Sequence, residues 1–337
     1  PRLGIHRRRA MVPGMIRRVA LLLCLFMPPS VRAELTYTTH WLGNTFGGGD
    51  SWVQNYAEGL AVAADGTCYV CSEWDEGGRE IGIYRDGKVV GKVEETHGWG
   101  RGGGQAVAIS DKWLYVGMTQ EGGYKHPEKN KNGELVFPAE WKLWFGIRRC
   151  TLDGKATPFP GGAGWGEAFR VVTEVTVEKG NPRPRGHVAG LWAHGGELFA
   201  SDPAGGLIRV YDEETMAEKR RFRAFTPGRL CVLRGLLHVV EDGARVAAYE
   251  LTGRRTGQVL EEDDVKPGAI APTPEGRLMV VEEGPRQQVL FYNMGGVPKL
   301  IRAMGEWGGV WSLPEPGAAG PIRFARPTGV GADAAGN

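Results

Sequence analysis

The sequence predicts an all-β fold, a six-bladed β-propeller of four-stranded antiparallel blades with the last blade truncated at the C-terminus. Three observations predict it. A short apolar run, a turn closed by glycine and a second apolar run recur along most of the 337 residues. Each copy is followed by a third run, a polar turn and a fourth run, so that a unit of about 40 residues holds four short strands. The chain also ends on the opening of a further copy, which makes the repeat the organising feature of the whole sequence.

The first copy is Glu58-Gly-Leu-Ala-Val-Ala-Ala-Asp-Gly-Thr-Cys-Tyr-Val70, where alternating apolar residues flank the Gly66 turn as in a β-hairpin. The second runs from Gly104 to Val116, the third from Ala189 to Ala200, the fourth from Leu230 to Val239 and the fifth from Ala269 to Val280. Pro327-Thr-Gly-Val-Gly-Ala-Asp-Ala-Ala-Gly-Asn337 opens a sixth. Third strands are expected at Ile81 to Tyr84, Phe145 to Cys150, Leu207 to Tyr211, Val246 to Tyr249 and Val289 to Tyr292. Turns at Asp86-Gly87, Asp153-Gly154, Asp212-Glu213, Thr252-Gly253 and Gly295-Gly296 lead into the fourth strands. The hairpin turns at 66, 111, 196, 235, 276 and 336 are spaced by 45, 85, 39, 41 and 60 residues. The long gap contains a single third-strand pattern, so it reads as one blade carrying a loop insertion at 120–140. Residues 212–221 lack helical periodicity and read as a turn and an exposed strand.

These units resemble the NHL-repeat family of β-propellers, on the strength of residues 327–337 and 59–70 and more loosely across residues 35–337. They are more distantly similar to gluconolactonase-like propellers of the SMP-30 type. The resemblance implies a fold; propellers of the NHL kind bind proteins, RNA or small ligands, and a few are enzymes. Residues 35–46 match the fourth strand of a blade, as at Lys299 to Trp307. They are expected beside residues 327–337, closing the ring and removing sheet edges.

Residues 1–33 read as upstream sequence and a secretory signal peptide. Met15-Ile-Arg-Arg18 is basic, Val19 to Met27 is apolar but too short to span a membrane, and Val31-Arg-Ala33 offers small residues for cleavage. Residues 34–337 then form one propeller domain, secreted or periplasmic, incomplete at its C-terminus. The leader holds seven arginines and no acid, so the remainder carries a net charge of −5. A mildly acidic body excludes nonspecific nucleic-acid binding, which needs a basic surface. Cys68 and Cys71 lie three apart on a predicted strand and face opposite ways, which suits separate thiols rather than a zinc pair.

Candidate ligand-binding residues come from the connections between blades. Alternate connections share a face, and one set is rich in glycine and tryptophan. It gathers Trp52, Trp99, Trp165, Trp307 and Trp311, joined by Trp74 from a strand-two-to-three link. Eleven tryptophans exceed ordinary usage, and flat indoles beside polar groups suit a sugar ring or a peptide. An aromatic before each first strand also suits a wedge between blades. His97 and Arg101 in the run 97–104 add charge that a wedge does not need. That run is no phosphate loop, since no Lys-Ser/Thr follows it.

The expectation is therefore an exported binding module for a glycan or an extracellular protein, without a cofactor. The alternative is a metal-dependent lactonase or hydrolase in the central channel. As the resemblance to gluconolactonase-like propellers implies, metal ligands would stand just before first strands. Glu58 matches one such position; Gly103, Val188, Pro227, Gly268 and Thr328 at the others offer no ligand, although His187 lies one register away. No Ser-His-Asp order or nucleophile elbow is present. His194 and His238 read as structural.

Overall fold

Antiparallel four-stranded sheets recur five times along the chain. The computed structural model describes residues 57–93, 96, 104–121, 127–138, 141–176, 188–312 and 322–337, all within the compact unit His40–Asn337. The first sheet holds β1 (Ala57–Val62), β2 (Cys68–Ser72), β3 (Ile81–Arg85) and β4 (Lys88–Lys92). The second holds β5 (Ala106–Ile109), β6 (Trp113–Glu121), β9 (Lys142–Thr151) and β10 (Phe169–Thr176), with the hairpin β7 (Glu128–Lys129) and β8 (Leu135–Val136) inserted between β6 and β9. The third comprises β11 (Leu191–His194), β12 (Glu197–Asp202), β13 (Leu207–Asp212) and β14 (Glu218–Arg223). β15 (Pro227–Leu233), β16 (Leu236–Glu241), β17 (Arg245–Glu250) and β18 (Arg255–Leu260) form the fourth. β19 (Pro267–Pro272), β20 (Leu278–Glu282), β21 (Val289–Asn293) and β22 (Lys299–Met304) form the fifth. In every sheet the strands pair with their sequence neighbours, apart from the inserted hairpin, which makes each a propeller blade.

The turns form where glycine predicts them. Gly66, Gly196, Gly235, Gly276 and Gly336 all adopt positive φ, between 74° and 85°, a region glycine enters without steric cost. The long gap is a single blade, as expected, because the insertion lengthens β6 and folds into its own small hairpin. Residues 213–217 turn and β14 follows, in place of any helix.

The core lies between blades. Central strands are sandwiched by two neighbours, so they bury both faces and read as continuous apolar runs. Along β20, Leu278 and Val280 join the core shared with the fourth blade, whereas Met279 and Val281 turn to the opposite side. β21 does the same, with Leu290 and Tyr292 on one side and Val289 and Phe291 on the other. Further cores join the first blade to the second, the second to the third and the third to the fourth. Cys71 is fully buried in the first of these, while Cys68 on the other face is half-buried.

Among the described residues five complete blades are formed, where a six-bladed ring with a truncated last blade was predicted, and the fifth core meets a single segment. Phe324, Val330 and Ala332 pack against Ala269, Ala271 and Phe291 of the fifth blade. The same segment runs beside β1. A Cβ on Gly329 would come within 2.9 Å of Leu60 N, and Ala334 N donates to Ala64 O at 3.1 Å. Asp333 N donates to Asn337 O and Gly336 N to Asp333 O. This is the bond pattern of the first blade's turn, where Ala63 N donates to Thr67 O and Gly66 N to Ala63 O. Among the described residues a sixth unit is therefore represented by the segment 327–333, which has no ladder pairing of its own, and by its turn. Its expected partner, residues 35–46, and the leader 1–33 lie outside the described residues. Among the described residues no helix is long and apolar enough to cross a membrane.

Candidate functional site

First strands line the centre of the molecule, and three of them begin with a break in register. The pairing shifts between Ala57 and Gly59 in the first blade, Pro227 and Leu230 in the fourth, and Pro267 and Ile270 in the fifth. Such bulges bend a strand and re-aim its side chains. Here they bring Glu58, Arg229 and Gly268 to one mouth of the channel, together with Gln105, Ala189 and Glu283 around a recess of about 250 Å³.

Arg229 is the crossbar of this mouth. Reaching from the fourth blade, it donates from Nη1 to Gln105 O in the second blade at 2.8 Å and from Nη2 to Glu58 O in the first. Its guanidinium lies over Gly59, where a Cβ would stand 3.4 Å from Cζ. Gly268 leaves the space that Glu283 fills, since a Cβ there would fall 1.9 Å from Glu283 Oε1.

Both carboxyls are held above the usual carboxylate range. For Glu58 the cause is loss of hydration on burial, opposed by the positive charge of Arg229. For Glu283 desolvation by the channel wall again dominates, although its outer atoms reach solvent; Arg229 opposes it, and the negative charges of Glu58 and Glu282 add to it. Neither carboxylate takes part in any ion pair or side-chain hydrogen bond among the described residues. Two carboxylates thus share one guanidinium, leaving the mouth with an excess of negative charge. A pair of this kind can accept a cationic or donor-rich group, and each member takes up a proton more readily than a free carboxylate.

Trp307 belongs to the same end of the molecule. It is 57% exposed, and Arg286 Cζ sits 5.1 Å from its ring centroid. Gly308 N donates to Arg286 O at 2.9 Å, which ties this interblade connection to the loop that carries Glu283. Trp311, 51% exposed, follows in a short 3₁₀ turn, Gly309–Trp311. Trp165 lies in a second 3₁₀ turn, Trp165–Glu167. Trp52, Trp74, His97, Trp99 and Arg101 lie outside the described residues, as does His187. The structure therefore joins Glu58 and the Trp307 connection to one end.

The register of the predicted channel positions needs correction. Gln105, Ala189 and Gly228 stand around the mouth with Glu58 and Gly268, rather than Val188 and Pro227, while Gly103 lies outside the described residues. The offset falls in the second, third and fourth blades, while Glu58 and Gly268 stand where predicted. This slip hid Arg229, which is the residue after Gly228. Glu283 was missed because it comes from a loop between second and third strands. The run Val280-Val-Glu-Glu-Gly284, with its paired acids, was the signal that could have found it.

Among the described residues no group of three or more His, Cys, Asp or Glu gathers as a metal site. Two carboxylates and a glutamine amide are fewer oxygens than a hard cation takes from protein alone. His238, read as structural from the sequence, is buried, with Nδ1 3.3 Å from Leu236 O and Nε2 3.4 Å from Gln258 Oε1. Burial lowers its pKa against both hydrogen bonds. His194 is exposed in the third blade's hairpin.

No protein-family model and no curated protein sequence matches the chain. Solved structures do resemble it. A glutaminyl cyclase from Myxococcus xanthus is 11% identical with a TM-score of 0.39, over 73% of this chain and 92% of that one. A streptogramin B lyase is 14% identical with a TM-score of 0.42, over 73% of this chain and 82% of that one. A chain from a mitotic checkpoint complex is 10% identical with a TM-score of 0.45, over 83% of this chain and 84% of that one. Likeness at this level assigns no activity; the chain is a β-propeller by its own sheet order.

Proposed function

We propose that this propeller is an exported binding module whose ligand, a glycan or an extracellular protein, seats over the channel mouth and the Trp307 connection. The observation that carries the reading is the pair Glu58 and Glu283, two carboxylates without an ion-pair partner of their own beside one arginine. Buried or crowded charges are ordinarily paired in a purely structural role. An exposed indole on the connection tied to the Glu283 loop adds apolar area and a hydrogen-bond donor, the combination that anchors many interfaces. The reading includes a six-position ring of the NHL kind, with residues 1–33 as leader, residues 35–46 completing the sixth position, and Trp52, Trp74, His97, Trp99, Arg101 and Trp165 extending the same face. Recovery of exported protein beginning at Glu34 tests the leader.

Capture on glycan and basic-peptide arrays, followed by calorimetry on the best hit, tests the binding reading. Glu58→Gln with Glu283→Gln should weaken a cationic or donor-rich ligand by about 1–3 kcal/mol, and Trp307→Ala by a similar amount. Unchanged affinity in both variants would remove the site. Affinity for a cationic ligand should also fall as pH drops through the raised carboxyl pKa values, because protonation removes the attracting charge.

The second reading is hydrolysis at the same mouth, favoured by the raised carboxyls, since such a group can act as general acid or base. In its lactonase-like form, calorimetry would detect Ca²⁺ or Zn²⁺ binding that is lost in Glu58→Gln together with lactone hydrolysis. Metal binding and turnover lost together would select this reading over the first.

A further inference from the structure

On the far side of Arg229 the channel widens into a cavity of about 430 Å³. Its walls come from all five complete blades and from residues 328–334, through side chains such as Leu60, Val107, Leu191, Ile270 and Val330. It opens at the end opposite the carboxylates, between the hairpin turns, where Ala64, Pro274 and Ala334 form an exposed rim. The volume falls within the roughly 300–1,000 Å³ of small-molecule sites.

Two features narrow the occupant. Among the described residues each first strand pairs on one side only, β1 with β2, β5 with β6, β11 with β12, β15 with β16 and β19 with β20. Main-chain donors and acceptors of the free edges therefore face the axis among apolar side chains. An occupant must present an apolar body together with a few hydrogen-bonding groups. Charge is the second feature. Arg229 closes the inner end, but Glu58 and Glu283 on its other side already oppose its charge. Asp333 at the rim turns inward on its own loop, accepting from Ala335 N, Asn337 N and Asn337 Nδ2. Both charged groups of the lining therefore stand at its ends and are engaged elsewhere, and the wall between them is apolar.

We infer that this cavity is a second binding site, separate from the acidic mouth, for a neutral small organic molecule with an apolar body and one or two hydrogen-bonding groups. The ligand enters between the hairpin turns and stops at Arg229, so the two ends of the channel serve different ligands.

N-phenyl-1-naphthylamine, neutral and apolar with a single N–H, is the probe. Its emission should rise saturably with one site per chain. Ala64→Trp combined with Ala334→Trp narrows the rim at exposed positions and should weaken the probe at least tenfold, with the melting temperature retained. Trp307→Ala at the other end should leave it unchanged. Dodecanol should displace the probe at least as well as dodecanoate, a comparison that needs no variant. No saturable signal would overturn the site, as would equal affinity in the folded double variant. Loss of the signal in Leu300→Lys with Ile301→Lys would place the probe on the outer surface instead. Much stronger displacement by dodecanoate would overturn the assignment of a neutral ligand.

Discussion

Acidic residues divide into two populations by what surrounds them. Asp202, Glu241 and Glu282 each end a second strand, are almost fully buried and are fully engaged. Glu282 accepts from Gly284 N at 2.7 Å and from Arg286 N and Gln287 N at 2.8 Å, closing its own loop. Glu241 accepts from Tyr249 Oη, Arg245 and Arg255, and these bonds outweigh the burial that would raise its pKa. Glu58 and Glu283 have no such partners, which is why they and not the more deeply buried acids mark the site. Glu197 is the paired case with the clearest consequence. Arg220 Nη1 and Nη2 donate to its two oxygens at 2.7 Å each, and Lys219 adds a further contact at 2.7 Å. The forked bond to Arg220, with Lys219, holds the carboxyl down to about 2 against some desolvation. A lowered folded pKa contributes stability that is present above the unfolded value and lost as pH falls through the folded one. Glu197→Gln should therefore destabilise the protein by a constant amount above about pH 5, and the gap should close between about pH 4.5 and 2. Urea titrations of both proteins at several pH values check this. A gap independent of pH would mean that the pair contributes shape rather than charge.

At the scale of strands, period and turn chemistry were readable because each has a local cause. Val246 to Tyr249 and Leu207 to Tyr211 are strands because both faces are covered by neighbouring blades, and Gly235 and Gly276 mark turns because positive φ selects glycine. What escaped was the bulge at the start of the first strand in the first, fourth and fifth blades. A one-residue break in register leaves no trace in the alternation, yet it decides which side chain reaches the axis. Arg229 was lost in this way, whereas Glu58 was found because it lies within the best-repeated motif. Interblade ties were equally hidden, since they join residues distant in sequence. Arg149, 3% exposed, donates to Pro158 O at 2.7 Å within its own blade. It also reaches Glu213 O at 2.9 Å and Glu214 O at 2.6 Å in the third blade. Its guanidinium lies 4.6 Å from the Trp113 ring centroid. Arg149→Met keeps most of the volume but strands these carbonyls, and should cost about 3 kcal/mol. The urea midpoint should fall without a change in slope. A loss below about 0.5 kcal/mol would mean that water replaces the guanidinium without penalty.

At the scale of the whole molecule, closure is the remaining physical problem. The outermost strands β4 and β14 alternate between exposed and half-buried residues, as a strand does when one face is covered. β22 does not: its first five residues are all exposed, with Leu300 at 38% and Ile301 at 44%. The side chains on both faces of this strand are those expected to meet a following blade. Among the described residues, 328–334 cover the inner part of that side, through Val330 and Ala332. A propeller left with one thin position would lose apolar burial on two flanks, and its free strand edges would offer a template for pairing with other chains. If residues 35–46 supply the fourth strand of the sixth position, they belong against this part of the ring. Protein spanning 34–337 should then melt at least several degrees above protein spanning 47–337 and aggregate less on heating. Leu300→Lys with Ile301→Lys should reduce aggregation of the shorter protein more than that of the longer one. Equal melting temperatures for the two lengths would show that residues 35–46 do not close the ring.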